Sequence, residues 1–559
     1  MAIIHDITNF ARGILISQDA STGTLDSARD NTGIGYNVFS ALTTGDGNTG
    51  LGSYALESIT SGGNNTAIGY QALKNNTDGD NNVAIGNQPL EFNTTGGNNV
   101  AIGGGALNSN IDGSENIAIG RYSLNTNTTH DDCVAVGYAA LRYSTGNNNT
   151  AVGSTALQSN TTAAGNTAFG FAASKSNTTG QYNTALGNQA LSNNTTGGAN
   201  VAVGYRAKLT NGGSNNVAIG REALRLSTAS SNVAIGRDAM EVATTSEQNI
   251  AIGYQAMLNT TTGGYNNAIG YQALHANTTG IRNTALGYQS LRNQTTATGT
   301  VAVGHHSLYN NTTGSGNVAV GYTAMSANQT GGNNTAVGYA ALENNTGSDN
   351  TAFGKDALEA NTTGEFNVAI GKDAATANTT SSGITAVGAD ALKNSTGSDN
   401  TAIGKSAGDL ITTGTNNTCI GYQADTASAT STNSITLGDA NITSLRCNTQ
   451  TISALSDARD KSNVEDLQLG VEFIKDLRPV SFTWERRDNT HNGVEDFGFI
   501  AQELDAVQEK HNEAERLGLV LKDNPERLEA SYGKLVPMLV KAIQELSEEV
   551  ESLKQKLGE

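Results

Sequence analysis

Ser456 and Lys461 stand at the two ends of the run Ser456-Asp457-Ala458-Arg459-Asp460-Lys461, and between them they offer a nucleophile and a base. A serine hydroxyl attacks a carbonyl well only once a base takes its proton, and an amine can be that base only when it is neutral. A lysine reaches that state near neutral pH when it is desolvated. A plainer reading of the same residues is that Ser456 caps a helix and Lys461 is a solvated surface side chain.

The elements around this run change character at residue 455. Residues 456–559 carry 37 charged side chains in 104, the only tryptophan, Trp484, and three of the four prolines, Pro479, Pro525 and Pro537. Upstream lie 60 of the 66 glycines. Two kinds of polymer are joined there. The formal charge of -19 excludes a nucleic-acid binder, which needs clustered Lys and Arg. Cys133, Cys419 and Cys447 are too few and too far apart for a disulfide framework or a zinc site, and no metal or cofactor is expected. The start, MAIIHDITNFARGILISQD, lacks the basic and apolar blocks of a secretory signal or a membrane span, so no membrane insertion is expected.

Upstream, a motif of the form Asn-Asn-Thr-Ala-Ile-Gly-Tyr-Gln-Ala-Leu followed by a polar turn recurs over residues 31–440. Its marker glycine appears 25 times from Gly35 to Gly438, each 16 or 17 residues after the last. Such a period predicts a parallel β-solenoid, because one coil cannot bury its apolar edge alone and must stack on its neighbours. At roughly 4.8 Å per coil the stack would make a rod on the order of 120 Å long. Within a coil, Thr66 and Ile68 fall on one strand face and Ala67 and Gly69 on the other. The expected arrangement has Ile, Val, Leu and Phe inside, Ala and Gly where backbones approach, and Asn and Thr columns at the corners. Ala72 and Leu73 suit a second short strand or a single turn. Residues 1–30 match the repeat poorly and read as an attachment segment or a solenoid cap. Corners rich in Asn and Thr lack the Asp of a calcium-binding roll. Coils such as Lys208-Leu209-Thr210-Asn211 break the Thr columns that an ice-binding face would need. Acids are sparse in the array, and His130, His275, His305 and His306 have no recurring partners, so no catalytic site is expected in it.

The repeats resemble the left-handed parallel β-roll of trimeric autotransporter adhesin heads, and still more the repeats ahead of chaperone domains in phage tail fibres. That resemblance implies three chains packing their small residues along a common axis. After a neck over residues 441–455, Ser456-Asp457-x-Arg459-x-Lys461 resembles the start of the endosialidase-type intramolecular chaperone domain. So do Leu477-Arg478-Pro479-Val480-Ser481-Phe482-x-Trp484, Gly498-Phe499-Ile500-Ala501-Gln502-Glu503-Leu504 and the segment 532–546, in the same order. The resemblance implies a small α+β domain over residues 456–559 that cuts its own chain at the Leu455-Ser456 bond. Ser456 and Lys461 would be catalytic, with Asp457 and Arg459 supporting the turn. His491 and His511 read as surface residues rather than acid-base helpers.

Val536, Leu539, Ile543, Leu546, Val550, Leu553 and Leu557 alternate three and four apart, the seam of a coiled coil. β-branched residues alternating with Leu favour two strands in parallel coils; the shaft and the family outweigh that in favour of three. The other reading is an amphipathic helix packed on its own domain. The expected protein is thus a homotrimeric virion component, a phage tail fibre or similar appendage. It would bind other tail or capsid proteins through its N-terminus and a host surface receptor through its shaft or newly cut tip. A bacterial cell-surface trimeric adhesin and a depolymerising tailspike are the alternatives. An adhesin would carry a secretion signal and membrane anchor, and a tailspike paired carboxylates in a groove; neither is evident.

Overall fold

The computed structural model describes residues 2–7, 10–17, 26–442, 445–446, 456–486, 492–522 and 528–558. The chain is mainly a parallel β-solenoid followed by a small domain with β-hairpins and a C-terminal helix. It divides into two compact units, Met1–Asn350 and Thr351–Glu559.

In the first unit each coil contributes one three-residue strand, such as Thr66–Ile68 or Val83–Ile85. Neighbouring strands pair in parallel and in register, Thr66 with Val83, Ala67 with Ala84 and Ile68 with Ile85. From Thr66–Ile68 onward the central residue of each strand in this unit is a buried alanine, and in the two coils before, it is Gly33 and Gly50. The opposite wall is not a second strand but a run of turns carrying Ala72 and Leu73, both fully buried. Gln71 (φ 57°) and Leu73 (φ 50°) adopt the left-handed conformation there. Backbone N–H groups of this wall reach the next coil, Leu73 N to the Pro89 carbonyl at 3.1 Å and Asn75 N to that of Glu91 at 3.0 Å. The wall therefore carries its own ladder of inter-coil hydrogen bonds.

Buried asparagines close the corners. Asn82 donates from its backbone N and its Nδ2 to Asn65 Oδ1 at 3.0 and 3.1 Å, and from Nδ2 to the Gly96 carbonyl at 2.9 Å. Asn99 repeats the pattern one coil on. A second buried column links Asn76, Asn93 and Asn110. Each amide thereby satisfies backbone groups that a tight corner would otherwise bury unpaired. The marker glycine is required by close approach. Gly187 has φ 136°, and a Cβ there would lie 2.6 Å from the Gly204 carbonyl oxygen.

One expectation is overturned. The branched strand residues point outward: Ile119 is 37% and Leu186 46% exposed, while the alanine before each, Ala118 and Ala185, faces in. The leucine column of the turn wall and the asparagine columns already fill the interior, and a methyl group is what fits opposite them. The small residues thus line each coil's own core, leaving Val, Ile and Leu on the outer face.

Before the first regular coil, strands Ala2–Ile7 and Phe10–Ser17 form an antiparallel hairpin. The second of them pairs in parallel with Thr32–Ile34, setting the buried Leu15 in register with Gly33.

The second unit begins with coils of the same kind, from Thr351–Phe353 to Ile435–Leu437. Its C-terminal part contains helices α1 (Val471–Asp476), α2 (Ala501–Lys510), α3 (Ala514–Leu517) and α4 (Val536–Leu557). Strands Val480–Thr483 and Glu495–Gly498 pair antiparallel, as do Val520–Leu521 and Glu529–Ala530. Leu469, Phe473, Leu517, Leu519, Leu535 and Met538 form the core. Buried Gln508 supports it, its Oε1 accepting from Leu519 N at 3.0 Å. From α4, Glu545 Oε2 accepts from Val471 N at 2.7 Å, so a carboxylate sits at the N-terminus of α1.

α4 uses one face for its own domain and leaves another bare. Met538 and Ala542 are buried, whereas Ile543 is 66% and Leu557 76% exposed. The residues of the heptad seam are all exposed. The face packed on the domain is thus that of Met538 and Ala542, and the heptad residues lie outside it.

Candidate active site

The chemistry expected at the start of the C-terminal domain rests on a single tight turn. Asp457 is the N-cap of a 3-10 helix, Ala458–Asp460, with Oδ1 accepting from Arg459 N at 2.9 Å. The Arg459 guanidinium folds back on the same carboxylate, Nε to Oδ1 at 3.0 Å and to Oδ2 at 3.1 Å. These bonds hold the Asp457 carboxyl below its ordinary pKa and raise that of Arg459. The cap is thus Asp457, not Ser456, and the serine hydroxyl is left available.

The turn returns the chain so that Lys461 Nζ donates to Ser456 Oγ at 2.6 Å. This is the distance over which a hydroxyl proton passes to an amine. Ser456, Arg459 and Lys461 are all exposed. The described residues thus place the Ser456 hydroxyl and the Lys461 amine in hydrogen-bond contact, with both side chains open to solvent. Leu455, on the other side of the expected scissile bond, lies outside the described residues, as do His491 and Cys447. His511 is committed elsewhere: its Nε2 meets Asp476 Oδ2 at 2.7 Å and its ring packs edge-on against Phe473.

The motif segments that lie apart in sequence are brought into contact. Arg478 forms a two-pronged ion pair with Glu503, its Nε 2.9 Å from Oε2. The Tyr532 hydroxyl accepts from Phe499 N at 3.2 Å and donates to the Phe499 carbonyl at 3.3 Å. Trp484 packs edge-on against Phe482 and donates from Nε1 to Asp496 at 3.3 Å. Sequence reasoning placed these segments in order but could not pair their side chains; complementary charge on Arg478 and Glu503 was the one available signal.

Elsewhere, Cys133 and Cys419 are buried free thiols, both pushed up to about 11 by burial, which leaves them unreactive. Among the described residues, Glu222, Asp238 and Glu241 bring carboxylate oxygens within 4.8 Å of one another. Arg221, Arg237 and Arg225 pair with them, so the cluster is an ion-pair network in balance. No helix among the described residues is long and apolar enough to cross a membrane.

Residues 456–513 match the family model described as chaperone of endosialidase, and the match opens on Ser456 itself. Together with the solenoid ahead of it, the match supports an endosialidase-type chaperone domain at the C-terminus. The match stops short of α4. No curated protein and no solved structure matches the chain.

Proposed function

We propose that this chain is a homotrimeric fibre of a virion, a phage tail fibre or similar appendage, that recognises a host surface. Its C-terminal domain assists trimer assembly and then detaches by cutting the chain before Ser456. The observation that carries this reading is the 2.6 Å contact between Lys461 Nζ and Ser456 Oγ, at the first residue of the matched region.

The chemistry follows from that contact. Lys461, once neutral, takes the Ser456 Oγ proton while Oγ attacks the carbonyl carbon of residue 455. The peptide C–N bond breaks as an ester forms, and Lys461 returns the proton to the leaving Ser456 amine. Water then hydrolyses the ester, leaving a carboxylate at residue 455 and a free Ser456. The exposure of the pair in a single chain explains why assembly would control the cut: neighbouring chains must exclude water before Lys461 can act as a base. The bare seam of α4 and the exposed Phe497 beside it offer the apolar surface for that assembly. The outer Val and Ile columns of the coils offer the same for the shaft.

Intact mass tests the reading. The wild-type protein should appear as a shaft ending at Leu455 and a 104-residue fragment, whereas Ser456→Ala and Lys461→Met should stay full length. A wild-type chain that remains whole as an assembled trimer would refute self-cleavage.

A further inference from the structure

The position after the marker glycine faces outward, and the fold does not dictate its occupant: Asn87, Gly104, Ser154 and Asn188 hold it in various coils. From Tyr254 to Tyr339, however, six consecutive coils place an aromatic ring there. Tyr254, Tyr271, Tyr288, His305, Tyr322 and Tyr339 stack with centroids 4.9 to 5.3 Å apart and planes within 15° of parallel. The rings are half-exposed, Tyr271 at 42% and Tyr322 at 48%. Solubility argues against such a strip unless something uses it.

Two further observations say what kind of partner fits. The next column is a hydrogen-bonded amide ladder: Gln272 Nε2 donates to Gln255 Oε1 at 2.9 Å, Gln289 to Gln272 at 2.8 Å, and His306 Nε2 meets Gln289 Oε1 at 2.8 Å. Arg292 Nε joins it at Gln272 Oε1, 3.2 Å away. Moreover, residues 248–342 contain no Asp or Glu in a chain of net charge -19, while they hold Arg282, Arg292 and three histidines. An anion repelled by most of this protein meets no carboxylate here.

We infer that the ring and amide columns between Tyr254 and Tyr339 form a binding strip for an extended, carboxylate-bearing polysaccharide. Successive sugars would lie along the exposed edges of the stacked rings, their hydroxyls on the amides and their carboxylates near Arg292. A linear polymer suits a strip that repeats coil by coil. A folded protein partner would call for a pocket that anchors one or two large side chains, and the repeated columns supply none. The inference deepens the host-recognition part of the proposed function and rests on that reading for its biological setting.

Polygalacturonate and hyaluronan, two linear polymers bearing carboxylates, are the probes, with methyl-esterified polygalacturonate as the uncharged control. Binding to the full chain is measured by calorimetry. Tyr271→Asn with Tyr288→Asn is the test variant, because Asn87 and Asn188 show that the coil accepts asparagine at this position. At least one acidic probe should bind, the double variant should weaken it by about tenfold or more, and Tyr138→Asn, in a coil outside the run, should leave it unchanged. Failure of both acidic probes to bind, equal binding of the esterified control, or equal loss with Tyr138→Asn would overturn the strip. Cleavage and native mass, read on the same samples, report separately on the fibre reading.

Discussion

Lys208 shows how much one residue can disturb a repetitive core. It occupies the column held by Leu191 one coil before and Leu224 one coil after, and it is fully buried. Its Nζ donates to the Gly212 carbonyl. Burial pushes its pKa down to about 8. An unfolded lysine titrates near 10.4, so between about pH 8 and pH 10.4 the unfolded chain binds more protons at this position than the folded one. Stability of the shaft should therefore rise over that window, by roughly 3 kcal/mol at full effect, and fall again as pH drops through 8. Lys208→Leu should abolish the rise and stabilise the shaft at neutral pH, as thermal unfolding across the pH range would show; an unchanged slope would contradict the assignment. Sequence reading noticed Lys208 only as a break in a surface column, because nothing local tells a lysine at a core position from one at a corner. Ser456 and Lys461 are joined by a short turn that brings them into contact. In the sequence, though, their pairing is implied by the resemblance to the chaperone domain, since the residues alone read equally as a cap and a surface lysine.

The coil was legible as a unit and ambiguous in its orientation. A glycine every 16 or 17 residues could only mean stacked coils, and the parallel in-register pairing bears that out. Alternation along Thr66, Ala67 and Ile68 says which residues share a face but not which face is inside, and hydrophobicity favoured the wrong one. What decides it is the opposite wall, whose leucines and asparagines claim the interior volume first. The asparagine columns are accordingly structural and not decoration at the corners. Asn82 Oδ1 accepts both Asn99 N and Asn99 Nδ2, so Asn82→Ala would strand the buried Asn99 N–H, while Asn99 Nδ2 keeps only its bond to the Gly113 carbonyl. The expected cost is about 1 to 3 kcal/mol for each group left unpaired. Because each coil contacts only its neighbours, the damage should stay local. Hydrogen exchange should quicken at Asn99 and in adjoining coils while coils near Gly304 keep their protection; uniform loosening of the whole shaft would contradict this reading.

At the scale of the whole molecule, the two halves of the proposed mechanism can be separated by mutation, since they depend on different faces of the same domain. The core around Phe473 and Met538 holds α4 in place, whereas Ile543 and Leu546 face away from it at 66% and 48% exposure. Charges at those two positions should leave the domain folded, because they replace no buried contact. They should instead remove the association of chains, since an apolar seam cannot tolerate three copies of a carboxylate at one level. If association is what desolvates Lys461, Ile543→Asp with Leu546→Asp must lose cleavage along with the oligomer, even though both substitutions leave the Ser456-Lys461 turn untouched. Ser456→Ala should do the reverse, keeping the oligomer and losing only the cut. Native mass and denatured mass on both variants decide the matter. A monomeric Ile543→Asp, Leu546→Asp protein that still cleaves at the wild-type rate would show that the lysine becomes a base within one chain, and that the cut reports nothing about assembly.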